Sequence, residues 1–292
     1  MKGMLTTIVV AGIIFSLVTC NTSSHKALSP IKMQCEVTGS GIPLVLVPGG
    51  LTGWASWEPF VKSFSEKRTV IRVQLLGVQL GLENRPLPEG YSVKTESGAL
   101  AATLDSLGYE MPVDIVAWSF GAFTSLDYAL DHPDGIRTLT LIEPPAMWVL
   151  RVTGKWDDEA QQTADFMQTF HGEITEDMLA EFSEHAGLVP PGQSARELPQ
   201  WDYWVPFRRS LRINPFVVSH NDDVERLKKF QPPTLLVKGT GSTAWLHNIV
   251  DGLSENIPHS QVVEFPGGHA PHLVSRDRFL IELERFLLNA NN

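Results

Sequence analysis

Residues 112–122, Pro-Val-Asp-Ile-Val-Ala-Trp-Ser-Phe-Gly-Ala, constrain this chain more than any other stretch. A short apolar run leads into a small-x-Ser-x-Gly turn with Ser119 at its tip, and a helix-forming run starts at Phe120. A strand that meets a helix through so tight a turn strains the serine and exposes its hydroxyl. Ala117 and Gly121 are the small residues that let strand and helix approach. The helix aims free backbone N–H groups at the same point. One segment therefore offers a nucleophile and, through the N–H of Phe120, half of an oxyanion site.

Two further segments fit this one. Residues 260–265 read as a strand, and Gly267-Gly268 form a turn that delivers His269. A base within hydrogen-bond reach of a serine hydroxyl takes its proton. His272, three residues on, competes for the role, but the Gly-Gly turn favours His269. At 43–53 an apolar strand opens into Pro48-Gly49-Gly50-Leu51, a loop able to turn the N–H of Gly50 or Leu51 toward a developing oxyanion.

In this order, these segments resemble the α/β-hydrolase superfamily over roughly residues 31–290. The resemblance implies a mostly parallel central sheet flanked by helices and the chain order serine, acid, histidine. It departs from the common pattern at Pro48, where many members have His, and at Gln74-Leu75-Leu76-Gly77. The acid is also displaced. In many members it follows the penultimate strand, here 233–239, yet Thr240 to Ala244 contain no carboxylate. Some members take it from the preceding strand end, where this chain has Glu143 after 139–142. Glu143 would hold the His269 tautomer and stabilise the imidazolium. The alternatives are that Glu143 only bonds loop amides and that Asp251 or Asp223 serves.

Strands are predicted at 31–38, 43–47, 69–75, 113–117, 137–142, 234–238 and 260–265, the last five as buried parallel strands. Helices are predicted at 92–107, ending before Gly108, and at 275–288. The strand rhythm fails between 146 and 220. That segment holds Trp148, Trp156, Trp201 and Trp204, half of the chain's 8 Trp, and two helix-like acidic stretches at 157–170 and 175–186. The resemblance implies a helical cap here, inserted after the strand at 137–142, with a core formed by 31–145 and 221–292. Trp118, Trp148 and Trp204 are expected to line an apolar substrate pocket or, on the plainer reading, to pack. Arg208, Arg209 and Arg212 would meet an anionic substrate or pair with the acidic stretches.

Length and charge exclude other classes. The 292 residues suit one α/β domain with an insertion. A net charge of −10, with no basic run, argues against a nucleic-acid partner. No Cys/His spacing resembles a metal site, and no phosphate-loop or dinucleotide glycine pattern occurs, so neither metal nor cofactor is expected. No protein partner is implied; the expected partner is a small-molecule substrate.

Leu5 to Val18 is apolar, too short to span a bilayer, and reads with Lys2 as a secretory signal over 1–19. It ends at Leu17-Val18-Thr19-Cys20, which resembles a bacterial lipoprotein box. Lipid on Cys20, with 20–30 as a polar tether, would anchor an exported protein to a membrane. Simple cleavage and secretion is the other reading.

The expected function is that of a serine hydrolase cleaving a small carboxylic ester through an acyl-enzyme on Ser119. The same residues support carbon–carbon hydrolysis or cofactor-free perhydrolysis, or a binding protein that has lost turnover.

Overall fold

The computed structural model describes residues 31–109 and 112–290. The signal segment and Cys20 lie outside the described residues. Seven strands form one sheet: β1 (Cys35–Thr38), β2 (Ile42–Val47), β3 (Arg68–Val73), β4 (Val113–Trp118), β5 (Ile136–Ile142), β6 (Thr234–Gly239) and β7 (Ser260–Phe265). The order is β1-β3-β2-β4-β5-β6-β7, with β1 antiparallel to β3 and every other pair parallel. Strands β2, β4, β5 and β6 occupy the middle and are buried on both faces for most of their length, as their Val, Ile and Leu content requires. β7 departs from this expectation. It is an edge strand, and Gln261, Val262 and Glu264 are exposed on it. The first strand is also shorter than expected, starting at Cys35.

Helices α1 (Glu58–Ser65), α2 (Leu76–Leu82), α3 (Val93–Leu107) and α4 (Phe120–Asp131) alternate with the first strands. Between β5 and β6 lie α5 (Met147–Val152), α6 (Asp158–Met167), α7 (Glu176–His185), α8 (Trp201–Trp204), a 3-10 stretch (Val205–Ile213), α9 (Asn214–Ser219) and α10 (Val224–Lys229). After β6 come α11 (Ala244–Asn256), α12 (Pro271–Val274) and α13 (Arg276–Asn289). Local sequence sets many of these ends. Ser92 and Thr95 form a capping box on α3, and Gly108 closes it at φ 65°. The side chains of Asp157 and Thr175 cap α6 and α7.

Two apolar layers sandwich the sheet. Phe60 and Phe64 of α1 with Phe279, Leu283, Phe286 and Leu287 of α13 cover one face. Residues of α3, α4, α5 and α11 cover the other. The inserted helices keep a smaller cluster of their own, Phe170, Ile174, Leu179, Trp204 and Leu211, which takes in Leu51 from the loop after β2. That shared residue ties the insertion to the carboxyl ends of the central strands.

Candidate active site

The carboxyl ends of β2, β4 and β5 and the loop after β7 converge beneath the inserted helices. At the end of β4 the chain reverses at Ser119, with φ 54° and ψ −127°, and α4 starts at Phe120. The turn is fixed by the Ser119 N–H, which donates to Ile142 O at 2.9 Å. It also needs Gly121, because a Cβ there would sit 2.1 Å from Pro48 O. Among the described residues three non-glycine residues adopt positive φ: Asn84, Ser119 and Glu143. Two of the three therefore sit in one site, where strain holds reactive side chains in place.

His269 Nε2 is 2.7 Å from Ser119 Oγ, and His269 Nδ1 is 2.8 Å from Glu143 Oε2. A carboxylate only accepts, so in the neutral ring Nδ1–H donates to Glu143 and Nε2 is free to accept from the hydroxyl. Glu143 is fully buried, and two more donors meet its charge: Gly239 N–H on Oε1 and the Ser242 hydroxyl on Oε2, each at 2.7 Å. A buried carboxylate needs such donors to stay charged. The His269 loop is fastened on both sides. Its N–H donates to Gly187 O at 3.0 Å, and its carbonyl accepts the Trp118 indole N–H at 2.7 Å.

The other two acids weighed from the sequence lie elsewhere. Asp251 pairs with Lys238, and Asp223 caps α10 through the Glu225 N–H. His272 is buried with neither ring nitrogen bonded among the described residues, packed against Trp57, Phe60, Trp118 and Phe279. Burial holds its pKa down at about 3, so it stays neutral.

Gly50, Leu51 and Phe120 line the same cavity as Ser119 and His269. Phe120 opens α4, so its N–H has no acceptor within the helix. The Gly50–Leu51 loop is clamped from three sides. The Ser210 hydroxyl donates to Gly50 O, the Tyr203 hydroxyl to Thr52 O, and the Trp54 N–H to Gln74 Oε1. Gln74, one of the departures from the family pattern, is thus a brace for this loop. Glu96 braces the next stretch, accepting from the Leu76 and Gly77 N–H groups and from Tyr91. Its burial raises the carboxyl pKa.

The cavity encloses about 40 Å³, and its walls are apolar, with Met167, Phe182, Leu211, Ile213 and Val217 supplied by the insertion. Trp118 lines it as expected. Trp148 does not: it is buried in the layer between α5 and the sheet, because α5 turns back onto α11 directly after β5. Trp204 also misses it. Trp204 lines a neighbouring groove of about 380 Å³ that shares Trp118 and Leu188 with the cavity. The tryptophan missed from the sequence is Trp245, at the start of α11, and Asn214 was missed with it. None of Arg208, Arg209 and Arg212 lines the cavity. Nor do they form ion pairs with the acidic stretches among the described residues. Arg208 donates to Ile174 O and Val205 O, and Arg212 to Arg209 O and Arg85 O.

Among the described residues one group of metal-ligating atoms lies close together, on Asp127, His220 and Asp222, within 4.8 Å of one another. Lys94 Nζ is 2.9 Å from Asp127 Oδ1, so an ammonium already supplies positive charge there. His220 is buried here. No helix among the described residues is long and apolar enough to cross a membrane.

Residues 42–275 match the family described as alpha/beta hydrolase fold, and the chain belongs to that family of hydrolases. Over 115 residues, 38% of the chain, it is 37% identical to a 2-hydroxy-6-oxo-2,4-heptadienoate hydrolase of Pseudomonas putida. That stretch spans 41% of the relative's length, less than half. A pimeloyl-[acyl-carrier protein] methyl ester esterase of Nitrosomonas europaea is 22% identical over 85% of this chain and 96% of its own. Among solved structures, a thermophilic esterase from Thermogutta terrifontis superposes with a TM-score of 0.70 at 18% identity. The superposition covers 89% of this chain and 94% of that one, a likeness of fold.

Proposed function

We propose that the protein is a serine hydrolase of the carboxylesterase type, cleaving a small ester through an acyl-enzyme on Ser119. The observation that carries this reading is the continuous hydrogen-bonded line from Ser119 Oγ through His269 to the buried Glu143. Ser119 Oγ attacks the ester carbonyl while His269 Nε2 takes its proton. The oxyanion is received by the N–H of Phe120 and that of Gly50 or Leu51. Glu143 stabilises the imidazolium, which then protonates the departing alkoxide. Water enters, gives its proton to His269 and attacks the acyl group, and the carboxylic acid leaves as Ser119 regains its proton.

The dienoate-hydrolase relative favours a second reading, carbon–carbon hydrolysis on the same residues. A dienoate is an anion, and no Lys or Arg lines the cavity among the described residues. An uncharged ester suits these walls better.

Ser119→Ala removes one hydroxyl and no core volume. It is expected to lower kcat/KM for p-nitrophenyl butanoate by roughly 10⁴- to 10⁶-fold with the melting temperature unchanged. Activity within tenfold of the wild type would remove Ser119 from the mechanism. We also propose that the protein is exported and carries lipid on Cys20. Mass spectrometry of the mature N-terminus tests this: an unmodified terminus at another residue would mean simple secretion.

A further inference from the structure

The inserted helices reach the backbone of the catalytic loops at three points. In the turn after α7, Gly187 O accepts the His269 N–H at 3.0 Å. From α8, the Tyr203 hydroxyl donates to Thr52 O at 2.9 Å. From the 3-10 stretch, the Ser210 hydroxyl meets Gly50 O and, at 2.7 Å, Phe207 O, two acceptors for its one proton. Each contact falls on His269 or on the Gly50-Leu51 pair, or one residue from it. The approach is close in both places. A Cβ on Gly268 would lie 2.1 Å from Gly187 O, and one on Gly50 would lie 2.7 Å from Ile213 Cδ1. On its other side the His269 loop rests on the end of β6, where a Cβ on Gly239 would meet Gly268 O at 2.1 Å.

From this we infer that Gly187, Tyr203 and Ser210 are positioning residues, through which the insertion sets the base and the oxyanion loop against Ser119. This rests on the hydrolase reading and adds the insertion's part in it. Oxyanion donors and a general base act only when held in place before the reaction starts. At these points the loops have no strand or helix ladder of their own to hold them. The carbonyls of Gly50 and Thr52 bracket Leu51. A planar peptide ties the direction of the Leu51 N–H to that of Gly50 O, so a partner on the carbonyl also fixes the donor. Leu51 itself packs into the insertion's own apolar cluster. His269 is pinned in the same way, its N–H by the insertion and its carbonyl by Trp118, the neighbour of Ser119. Ala186 and Leu188, on either side of Gly187, line the cavity, so an acyl group seated there packs against the turn that holds the base.

The test removes the contacts singly. Tyr203→Phe takes one hydroxyl from a side chain 41% exposed, and Ser210→Ala takes one from a buried side chain. Each is expected to lower kcat for p-nitrophenyl acetate about three- to tenfold with KM little changed. Gly187→Ala forces a side chain into the left-handed region at φ 69°, with its Cβ 3.7 Å from His269 N, and is expected to lower kcat about tenfold. Gly172→Ala, also in the insertion, carries the same strain at φ 69° with nothing within 4 Å of its Cβ. It should lose as much melting temperature as Gly187→Ala and keep the wild-type kcat. A second readout is inhibition by phenyl trifluoromethyl ketone. Ser119 Oγ adds to its carbonyl carbon, the hydroxyl proton passes to His269, and the ketone oxygen becomes the oxyanion. Its Ki should rise in Tyr203→Phe and Ser210→Ala by the factor through which kcat/KM falls, and stay at the wild-type value in Gly172→Ala. Wild-type kcat and Ki in all three contact variants overturn the inference and leave the hydrolase intact, as does an equal loss of kcat in Gly172→Ala. A wild type inert toward ester and ketone alike overturns the hydrolase reading and this inference with it.

Discussion

The ends of β5 and β6 lie side by side in the sheet and divide one task between them. β5 ends in Glu143, held at φ 45° with its N–H on Val237 O, and supplies the charge that faces His269. β6 ends in Gly239 and runs through Thr240, Gly241 and Ser242, supplying the two donors that keep that charge buried. The strands pair in parallel with Ile142 opposite Val237, so their ends are one strand spacing apart, about 4.8 Å. A carboxylate on either end is within reach of the same imidazole. Here the charge comes from one strand end and its donors from the next, and they meet in one place.

The strongest way to break that division is Glu143→Gln. The amide keeps the shape, loses the charge, and turns an N–H₂ toward groups that are themselves donors. With Ser119 and His269 intact, kcat/KM for a short p-nitrophenyl ester is expected to fall by about 10²- to 10⁴-fold. A loss under tenfold would show that His269 works without a carboxylate, and the contrast between the two strand ends would lose its meaning.

His269 and His272 sharpen the comparison in a different quantity. They lie three residues apart, and one has both nitrogens partnered while the other has neither. Folded His272 stays neutral down to about pH 3, whereas in the unfolded chain it takes a proton below about pH 6.5. The unfolded state therefore binds more protons between those values, and stability drains away as pH falls through that window. His272→Leu removes this sensitivity. The stability lost between pH 7 and pH 4.5, read from denaturant midpoints, should shrink by about 2–3 kcal/mol. An unchanged loss would mean that His272 is charged, or solvated, in the folded protein.

The sequence made Ser119 and His269 legible because the backbone there tolerates few residues. Gly121 has no room for a Cβ against Pro48 O, and a Cβ on Gly268 would lie 2.1 Å from Gly187 O. Constraints of that kind leave glycines at fixed offsets from the reactive side chains. The central strands were legible from their Val, Ile and Leu content; β7 was grouped with them on Val262, Val263 and Phe265 but lies at the edge. Burial on both faces depends on which strand comes next, and the residues of one strand do not carry that. The cavity was the least legible. Trp148 and Trp245 are alike as residues, and only the packing of α5 against α11 decides which one faces Ser119. Asn214 was hidden by its neighbour, since Asn-Pro reads as an ordinary helix start. Glu143 stood between: the missing acid after β6 pointed to it, while the donors that replaced that acid went unnoticed.

Those donors give the smallest of the expected effects. Ser242 Oγ donates to the same oxygen of Glu143 that accepts His269 Nδ1–H. Ser242→Ala leaves the carboxylate two of its partners, Gly239 N–H on Oε1 and His269 on Oε2. One hydrogen bond to a buried charge is lost, and the carboxyl becomes freer to rotate away from the imidazole. The expected loss in kcat/KM is about three- to tenfold, corresponding to about 1 kcal/mol. Ser242→Thr keeps the hydroxyl and is expected to recover most of it, a pattern that a purely steric role for the β6 loop would not produce. If Ser242→Ala instead matched the loss of Glu143→Gln, the donor and the charge would be inseparable, and the two strand ends would act as a single unit.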